Sequence, residues 1–151
     1  HKGTSFLEIY QNCNIFNDGA FFTFSDKETK ADNAVFLEHG QPLRFGKNME
    51  KGIRLDGFKP VIVDLENEGF SADDLWIHDE LDLCKAQLLS RFFHDPDTTP
   101  TSLPRPFGVF YTHQRPVYEE LLFHQIEKAV GQQGEGDLDQ LLAGGVTWEI
   151  E

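Results

Sequence analysis

The chain has few cysteines, few basic residues and no long hydrophobic run. Only two of its 151 residues are cysteines, Cys13 and Cys84, which excludes a disulfide framework and favours a reducing compartment. No apolar run approaches the ~20 residues that a transmembrane helix needs, and no signal-peptide pattern is present. These absences predict a soluble, cytoplasmic protein that does not bind a membrane.

The scarcity of basic residues leaves the chain strongly acidic. It has 13 Lys and Arg against 26 Asp and Glu, which gives a net charge of −13. Such a surface repels phosphate backbones, so we expect no nucleic-acid partner. Fourteen phenylalanines are many for this length, and we expect several of them to line an interface with another protein segment.

The first ten residues of the chain predict a strand. The chain begins with His1 rather than Met, and the segment Ser5–Tyr10 is rich in β-branched and aromatic residues, which favours a strand. We therefore expect the chain to be a piece of a longer polypeptide, cut just upstream of this strand.

Further strands are indicated by apolar runs that flank turn residues. One hairpin is predicted over 35–46, around a Gly/Pro turn. A second hairpin is predicted over 53–65, where Asp56-Gly57 supplies the turn and Pro60 indicates an edge strand. A shorter strand is expected at 75–78, and a strand or an apolar plug at 107–111.

Helical spacing of apolar residues predicts three helices, at 81–93, 116–130 and 137–142. Gly131 is expected to end the second helix, and Asp137 to cap the third. Four prolines predict an extended crossing over 95–107. Together with the strands, these helices predict an α/β fold with α+β character.

Cys13 is the strongest candidate for a functional residue. It lies where the predicted strand gives way to a polar loop, the position at which α/β folds present ligands and catalytic groups. A thiol there could ligate an iron–sulfur cluster, act as a nucleophile, or be an inert small hydrophobe. A four-iron cluster needs about four thiolates, so Cys13 could supply only one of them.

The other candidate residues have simpler interpretations. Cys84 falls on the apolar stripe of a predicted helix, which indicates a core position. His39 could orient a loop by hydrogen bonding. His78 and His94 are each followed by carboxylates, which raises a metal-site or hydrolase hypothesis. No ligand spacing of the His-Glu-x-x-His type supports that hypothesis, and we predict no catalytic residue in this chain.

Several blocks in order along the chain resemble one enzyme family. Residues 1–18 read HKGTSFLEIYQNCNIFND and closely resemble the segment that closes the thiamine-diphosphate domain in β subunits of 2-oxoacid:ferredoxin oxidoreductases. Residues 37–46 read LEHGQPLRFG and look like the signature of that subunit's C-terminal extension. The blocks at 106–110, 115–118 and 134–149 resemble the longer extension of 2-oxoglutarate-type members.

The resemblance implies a reaction, a set of cofactors and a set of partners. The family oxidises and decarboxylates a 2-oxo acid with coenzyme A, and passes electrons through a [4Fe-4S] cluster to ferredoxin. Its β subunit binds thiamine diphosphate with Mg²⁺ and pairs with an α subunit. The resemblance makes Cys13 the last cluster ligand, with backbone amides of residues 14–17 as donors to sulfur. The other cluster cysteines and the Gly-Asp-Gly motif are expected upstream of His1.

The same resemblance implies how the chain is organised. Residues 1–24 would be the last strand and cluster loop of the thiamine-diphosphate domain, and residues 25–151 the C-terminal extension. Gln11 and Asn12 stand where many relatives have Ser-Pro. As an alternative to a role in the chemistry, the segment from Ser25 onward could be a non-catalytic docking or lid module that binds the partner subunit and covers the cofactor site.

Overall fold

The computed structural model describes residues 2–92, 103–145 and 148. The chain divides into two units, one made of Glu8–His113 and the other of His1–Leu7 with Gln114–Glu151. Helices and strands are mixed, with one parallel and one antiparallel sheet. The predicted α/β class with α+β character is therefore confirmed.

Unit Glu8–His113 contains every strand found in the described residues. The strands are β1 (Ala34–Phe36), β2 (Arg44–Phe45), β3 (Lys51–Asp56), β4 (Lys59–Asp64) and β5 (Arg105–Phe107). Strands β1 and β5 form a parallel pair, and β2, β3 and β4 form an antiparallel sheet in that order. The helices of this unit are α1 (Phe22–Ser25), α2 (Lys30–Asn33), a 3-10 turn (Ala72–Asp74) and α3 (Leu83–Leu89).

The hairpin predicted over 53–65 is confirmed. Strands β3 and β4 pair in antiparallel fashion, with Asp56 opposite Lys59. The two residues between them are Gly57 and Phe58, and only Gly57 has a positive φ, of 62°. This is the pattern of a type II′ turn, which suits the twist of hairpin strands. Pro60 lies in β4, at the edge of the sheet as predicted.

The hairpin predicted over 35–46 is wrong. Its two apolar runs form β1 and β2, but β1 pairs with β5 and β2 pairs with β3. The intervening residues form a turn, in which the Gln41 N–H donates to the Glu38 carbonyl, and they also bond to a third segment. The Gly40 N–H donates to the His78 carbonyl, and the Leu43 N–H donates to the Trp76 carbonyl. Residues 75–78, predicted as a strand, are therefore extended but form only one β-bridge, between Ile77 and Pro42.

The strand predicted over 5–10 is also wrong. These residues are irregular, and the side chains of Phe6 and Ile9 are 92% and 72% exposed. A strand needs a neighbour with which to exchange hydrogen bonds, and no described segment lies alongside these residues as a paired strand. The apolar, β-branched composition alone therefore does not produce a strand here.

The proline-rich crossing predicted over 95–107 is partly corrected. Pro106 lies in β5, opposite Val35 of β1. A proline is tolerated there because β5 has a single neighbouring strand, so the missing N–H can face away from the pair. Pro96, Pro100 and His94 lie outside the described residues. Strand β5 ends at Phe107, so only the first residue of the strand predicted over 107–111 is confirmed.

The core of this unit is formed by side chains from both sheets and from the end of α3. Trp76 and Phe92 meet edge to face, with ring centroids 5.8 Å apart. Backbone hydrogen bonds run from Trp76 N–H to Ile53 O and from Ile53 N–H to Leu43 O, which fixes three segments side by side. The buried cluster comprises Val35, Leu43, Phe45, Ile53, Trp76, Leu89 and Phe92.

The prediction that Cys84 lies in the core is wrong, because Cys84 is exposed. Helix α3 begins at Leu83 and buries Ala86 and Leu89. At 100° per residue, position 84 points far from the face that these two residues share. The helix predicted at 81–93 is present as the shorter α3. It buries a different face from the one that the spacing of apolar residues indicates.

The second unit contains α4 (Tyr118–Gln133) and α5 (Leu138–Ala143). Helix α4 runs through Gly131, the predicted end, and stops at Gly134, which has a φ of 81°. Helix α5 is capped as predicted, because the Asp137 carboxylate accepts a hydrogen bond from the Gln140 N–H at 3.0 Å. No residue of α4 is buried. None of the helices in the described ranges is long and apolar enough to cross a membrane.

Gly52 offers a test of the packing of the antiparallel sheet. A β-carbon at this position would overlap Leu75, with Cδ1 only 2.7 Å away. We expect Gly52→Ala to lower the free energy of unfolding by about 1–3 kcal/mol because the packed neighbour must shift. Denaturant unfolding followed by far-UV circular dichroism measures this.

The matched control is Gly131→Ala in α4, where no neighbouring atom lies within 4 Å of the added methyl group. This change should be neutral or stabilise by about 0.5–1 kcal/mol, since alanine favours a helix. Equal unfolding curves for Gly52→Ala and the unsubstituted chain would contradict the packing described here.

Candidate functional site

Cys13 lies in a compact turn of unit Glu8–His113. The Asn17 N–H donates to the Cys13 carbonyl oxygen at 3.0 Å, and the two residues form an isolated antiparallel bridge. The side chain of Cys13 is partly buried. Residues 12–19, which we call the Cys13 loop, thus form a closed structure, as the polar residues around Cys13 predict.

Backbone N–H groups of the loop lower the pKa of the Cys13 thiol. Hydrogen bonds from the N–H groups of Phe16 and Ile15 lower the pKa of the thiol, and burial raises that pKa to a smaller extent. A further N–H group, that of Asn17, also lowers the pKa. The arrangement favours the thiolate, which is both the nucleophilic form and the metal-binding form of cysteine.

The side chain of Asn12 connects the two sides of the Cys13 loop. Its Nδ2 donates to Asn14 Oδ1 at 2.8 Å and to Asp18 Oδ1 at 2.9 Å. Its Oδ1 accepts a hydrogen bond from the Gly19 N–H at 2.9 Å. One carboxamide at the start of the loop therefore bonds both to Asn14, next to Cys13, and to Asp18 and Gly19 at the end of the loop.

The Cys13 loop carries two exposed apolar side chains. Ile15 is 83% exposed and Phe16 is 89% exposed. Apolar side chains at the tip of a polar loop are costly in water unless another surface covers them. The exposed side chains of Ile15 and Phe16 therefore indicate that another surface covers the Cys13 loop.

Aromatic stacking fixes the base of the Cys13 loop. The rings of Tyr10 and Phe21 stack with centroids 4.6 Å apart, and Tyr10 meets Phe107 of β5 edge to face at 5.6 Å. The Arg105 guanidinium lies 5.7 Å from the Tyr10 ring and 5.2 Å from the Phe24 ring. The loop is thereby attached to the β1–β5 sheet through aromatic and cation–π contacts.

A cavity of about 460 Å³ adjoins this aromatic cluster. Its walls include Phe21 and Phe24 of the cluster, polar side chains of Thr23 and Asn33, and Arg105. The cavity thus has an apolar wall and a single cationic group beside the segment that follows the Cys13 loop.

His39 has the role that the sequence predicts. Its Nδ1 accepts a hydrogen bond from the Glu80 N–H at 3.3 Å, and it lies 3.8 Å from the Asp79 carboxylate. The ring therefore orients the turn at 79–80. The structure gives His39 no contact with the Cys13 loop among the described residues.

His78 is a buried histidine and not a metal ligand in this structure. Only 1% of the residue is exposed, and its Nε2 lies 2.8 Å from the Val109 carbonyl oxygen, to which it donates. Across residues 2–92 and 103–145, no group of three or more His, Cys, Asp or Glu side chains could hold a metal ion. The metal-site hypothesis for His78 is therefore not supported, and His94 lies outside the described residues.

The sequence analysis missed two features around Cys13. It did not identify Asn12 as the centre of the loop, although an Asn one residue before Cys13, with Asn14 and Asp18 nearby, is the type of residue that bonds locally to backbone and side chains. It also missed the Tyr10–Phe21 stack, because that contact depends on the path of the loop.

The comparison with known proteins identifies a relative that matches the whole chain. An alignment of 155 positions is 31% identical to the 2-oxoglutarate oxidoreductase subunit KorB of Mycobacterium tuberculosis (strain ATCC 25618 / H37Rv). The chain resembles KorB from end to end. The alignment includes 100% of this chain and 39% of the relative, so the chain spans about two fifths of the length of KorB. The alignment with KorB thus confirms the resemblance that the sequence blocks indicate.

No family model matches the chain, and no solved structure matches it significantly. The likeness to KorB therefore rests on sequence. The geometry of the Cys13 loop is an observation independent of that likeness.

The lowered pKa of the Cys13 thiol predicts a shifted pH dependence of alkylation. Because a lower pKa raises the thiolate fraction at a given pH, Cys13 in the folded, metal-free protein should reach its half-maximal alkylation rate below the ordinary value of about 8.5 for a free cysteine. Iodoacetamide labelling across pH, with mass spectrometry of the Cys13 peptide, measures the rate.

The control is the same protein unfolded in urea, in which the backbone N–H groups no longer lower the pKa of the thiol. Its profile should move to higher pH. Coincident profiles in the folded and unfolded states would show that the loop does not stabilise the thiolate.

Proposed function

We propose that this chain is the C-terminal part of the β subunit of a 2-oxoacid:ferredoxin oxidoreductase, with 2-oxoglutarate as the favoured substrate. The observation that carries this proposal is the 31% identity to KorB across the entire chain. In this proposal residues 1–24 belong to the thiamine-diphosphate domain and residues 25–151 form its extension. The reaction would use coenzyme A, and its electrons would leave to ferredoxin.

We assign Cys13 as one ligand of a [4Fe-4S] cluster. The residues present fit this role, because the thiol is partly buried in a closed loop and receives hydrogen bonds from N–H groups of residues 15–17. A cluster needs about four thiolates, and the part of the chain that the structure describes contains no group of three or more His, Cys, Asp or Glu side chains that could hold a metal ion. The remaining ligands, and the site for thiamine diphosphate and Mg²⁺, are proposed to lie in other segments of the protein.

When bound, such a cluster would supply one-electron transfer between the thiamine-diphosphate centre and ferredoxin. The residues of this chain would act on the sulfur and on access to it. The N–H groups of Ile15, Phe16 and Asn17 would stabilise negative charge on the sulfur, and the side chains of Ile15 and Phe16 would exclude water once covered.

Cys13→Ser in the intact enzyme tests the assignment directly. Because a hydroxyl is a poor substitute for a thiolate at iron, we expect the loss of most cluster absorbance and of most ferredoxin reduction. Iron per protein, visible absorbance and the rate of ferredoxin reduction are the measurements.

Cys84→Ser is the matched control, since Cys84 is an exposed thiol at the start of α3. This variant should keep its full iron content and activity. A Cys13→Ser enzyme with a complete cluster would refute the role of Cys13, whatever the control shows.

A second function, docking to the partner subunit, is favoured by α4. Its apolar side chains repeat at helical spacing, yet the helix buries none of them. Leu121, Phe123 and Ile126 are 55%, 62% and 47% exposed. We call Leu121, Leu122, Ile126 and Val130 the apolar stripe of α4. Such a stripe is stable in water mainly when it packs against another surface. We propose the α subunit of the same enzyme as that surface, a role compatible with the function above.

Charged substitutions in the apolar stripe of α4 test the docking function. Leu122→Glu with Ile126→Glu should weaken the association of the two subunits by at least about tenfold, because two carboxylates would be buried at the interface. Analytical ultracentrifugation of the purified subunits gives the dissociation constant, and iron content shows whether the Cys13 site is intact.

The control variant carries His124→Gln with Glu127→Gln on the opposite face of the same helix. Its association should be unchanged. Unaltered association in the glutamate variant would exclude this face of α4 as the docking surface.

A further inference from the structure

We propose that Asn12 is a positioning residue that closes the Cys13 loop and thereby fixes the backbone of residues 14–19 beside Cys13. The link from this loop to iron rests on the proposed function. The link from Asn12 to the shape of the loop rests on the geometry alone.

The first argument is the number and direction of the bonds that Asn12 makes. Its carboxamide donates to Asn14 Oδ1 and Asp18 Oδ1 and accepts from the Gly19 N–H, at 2.8, 2.9 and 2.9 Å. Asn14 follows Cys13 directly, whereas Asp18 and Gly19 form the far side of the loop. A single side chain therefore joins the start and the end of the turn that contains Cys13.

The second argument is that asparagine is the residue type that meets these demands. The position needs two donated hydrogen bonds and one accepted hydrogen bond from a short side chain, and a carboxamide supplies both kinds. Aspartate has the same shape but only accepts, and it would place a second carboxylate next to Asp18. Alanine makes none of the bonds.

The third argument is that Gly19 is shaped to receive this contact. Its φ of 77° lies in the left-handed region that favours glycine. In this conformation its N–H is directed at Asn12 Oδ1. The backbone at the end of the loop and the side chain at its start are thus matched to each other.

The fourth argument is that the loop contributes no side chain to the hydrophobic core of its unit. The base of the loop is held by the stacked rings of Tyr10 and Phe21, 4.6 Å apart, and the core cluster contains no residue of the loop. Loss of the Asn12 bonds should therefore loosen residues 12–19 without unfolding the unit around them.

The test uses Asn12→Ala and Asn12→Asp in the intact enzyme, with Gln11→Ala as the matched control. Gln11 is the preceding residue, and its side chain makes no hydrogen bond among the described residues. The first measurement is hydrogen–deuterium exchange of a peptide that spans residues 12–19. We expect exchange to rise by at least about fivefold in both Asn12 variants, the factor that corresponds to one net hydrogen bond of about 1 kcal/mol.

The second measurement concerns the cluster and not the rate of the reaction. Fewer ordered N–H donors stabilise the reduced, more negative cluster less, so both Asn12 variants should show a more negative reduction potential and a changed electron paramagnetic resonance spectrum. The Gln11→Ala enzyme should match the unsubstituted enzyme in exchange, potential and spectrum.

The outcomes distinguish this inference from the proposed function. Faster loop exchange with a shifted potential in the Asn12 variants alone supports the inference, and unchanged exchange in Asn12→Ala overturns it. An unsubstituted enzyme without iron would refute the proposed function. The exchange of residues 12–19 would then still decide whether Asn12 holds the loop.

Discussion

The lowering of the Cys13 thiol pKa by backbone N–H groups is the effect on which the candidate site depends. The groups that lower the pKa of this thiol are N–H groups of residues 15–17, and none of them is a cationic side chain. This matters in a chain with a net charge of −13, where cations are scarce. Backbone dipoles stabilise a thiolate without a cationic side chain. Such a side chain could instead extend into solvent or pair with a nearby carboxylate.

The unit Glu8–His113 supplies the rigidity that such a loop requires. Its core joins both sheets through Ile53 and Trp76, and their backbone bonds fix the segments that surround them. The parallel pair β1–β5 then presents Phe107 to Tyr10. A turn close to Cys13 is thus anchored by residues distant in sequence, which restricts the orientations that the thiol can adopt.

Exposed apolar side chains occur in both units, and each set has a role in the proposed function. In the Cys13 loop, Ile15 and Phe16 expose apolar surface two and three residues after Cys13. In the second unit, the stripe of α4 extends over several turns of helix. Single exposed apolar residues are common on proteins, but groups of them beside a reactive thiol or along one helix face indicate surfaces that another segment covers.

The sequence by itself determined the features that depend on local chemistry. The β3–β4 hairpin follows from a glycine that adopts positive φ, the start of α5 from the capping carboxylate of Asp137, and the turn at Cys13 from its polar neighbours. The order of the sequence blocks was sufficient to indicate the similarity to KorB.

Only the tertiary structure decided which segments pair and which faces are buried. β1 pairs with β5 and not with β2, residues 5–10 have no partner strand among the described residues, and Cys84 points away from the core. Composition gives a segment its propensity, but a strand or a buried face exists only when a distant segment supplies the hydrogen bonds and the packing. For the same reason, Asn12 became visible as the centre of the Cys13 loop only when the path of the backbone brought Asp18 and Gly19 within its reach.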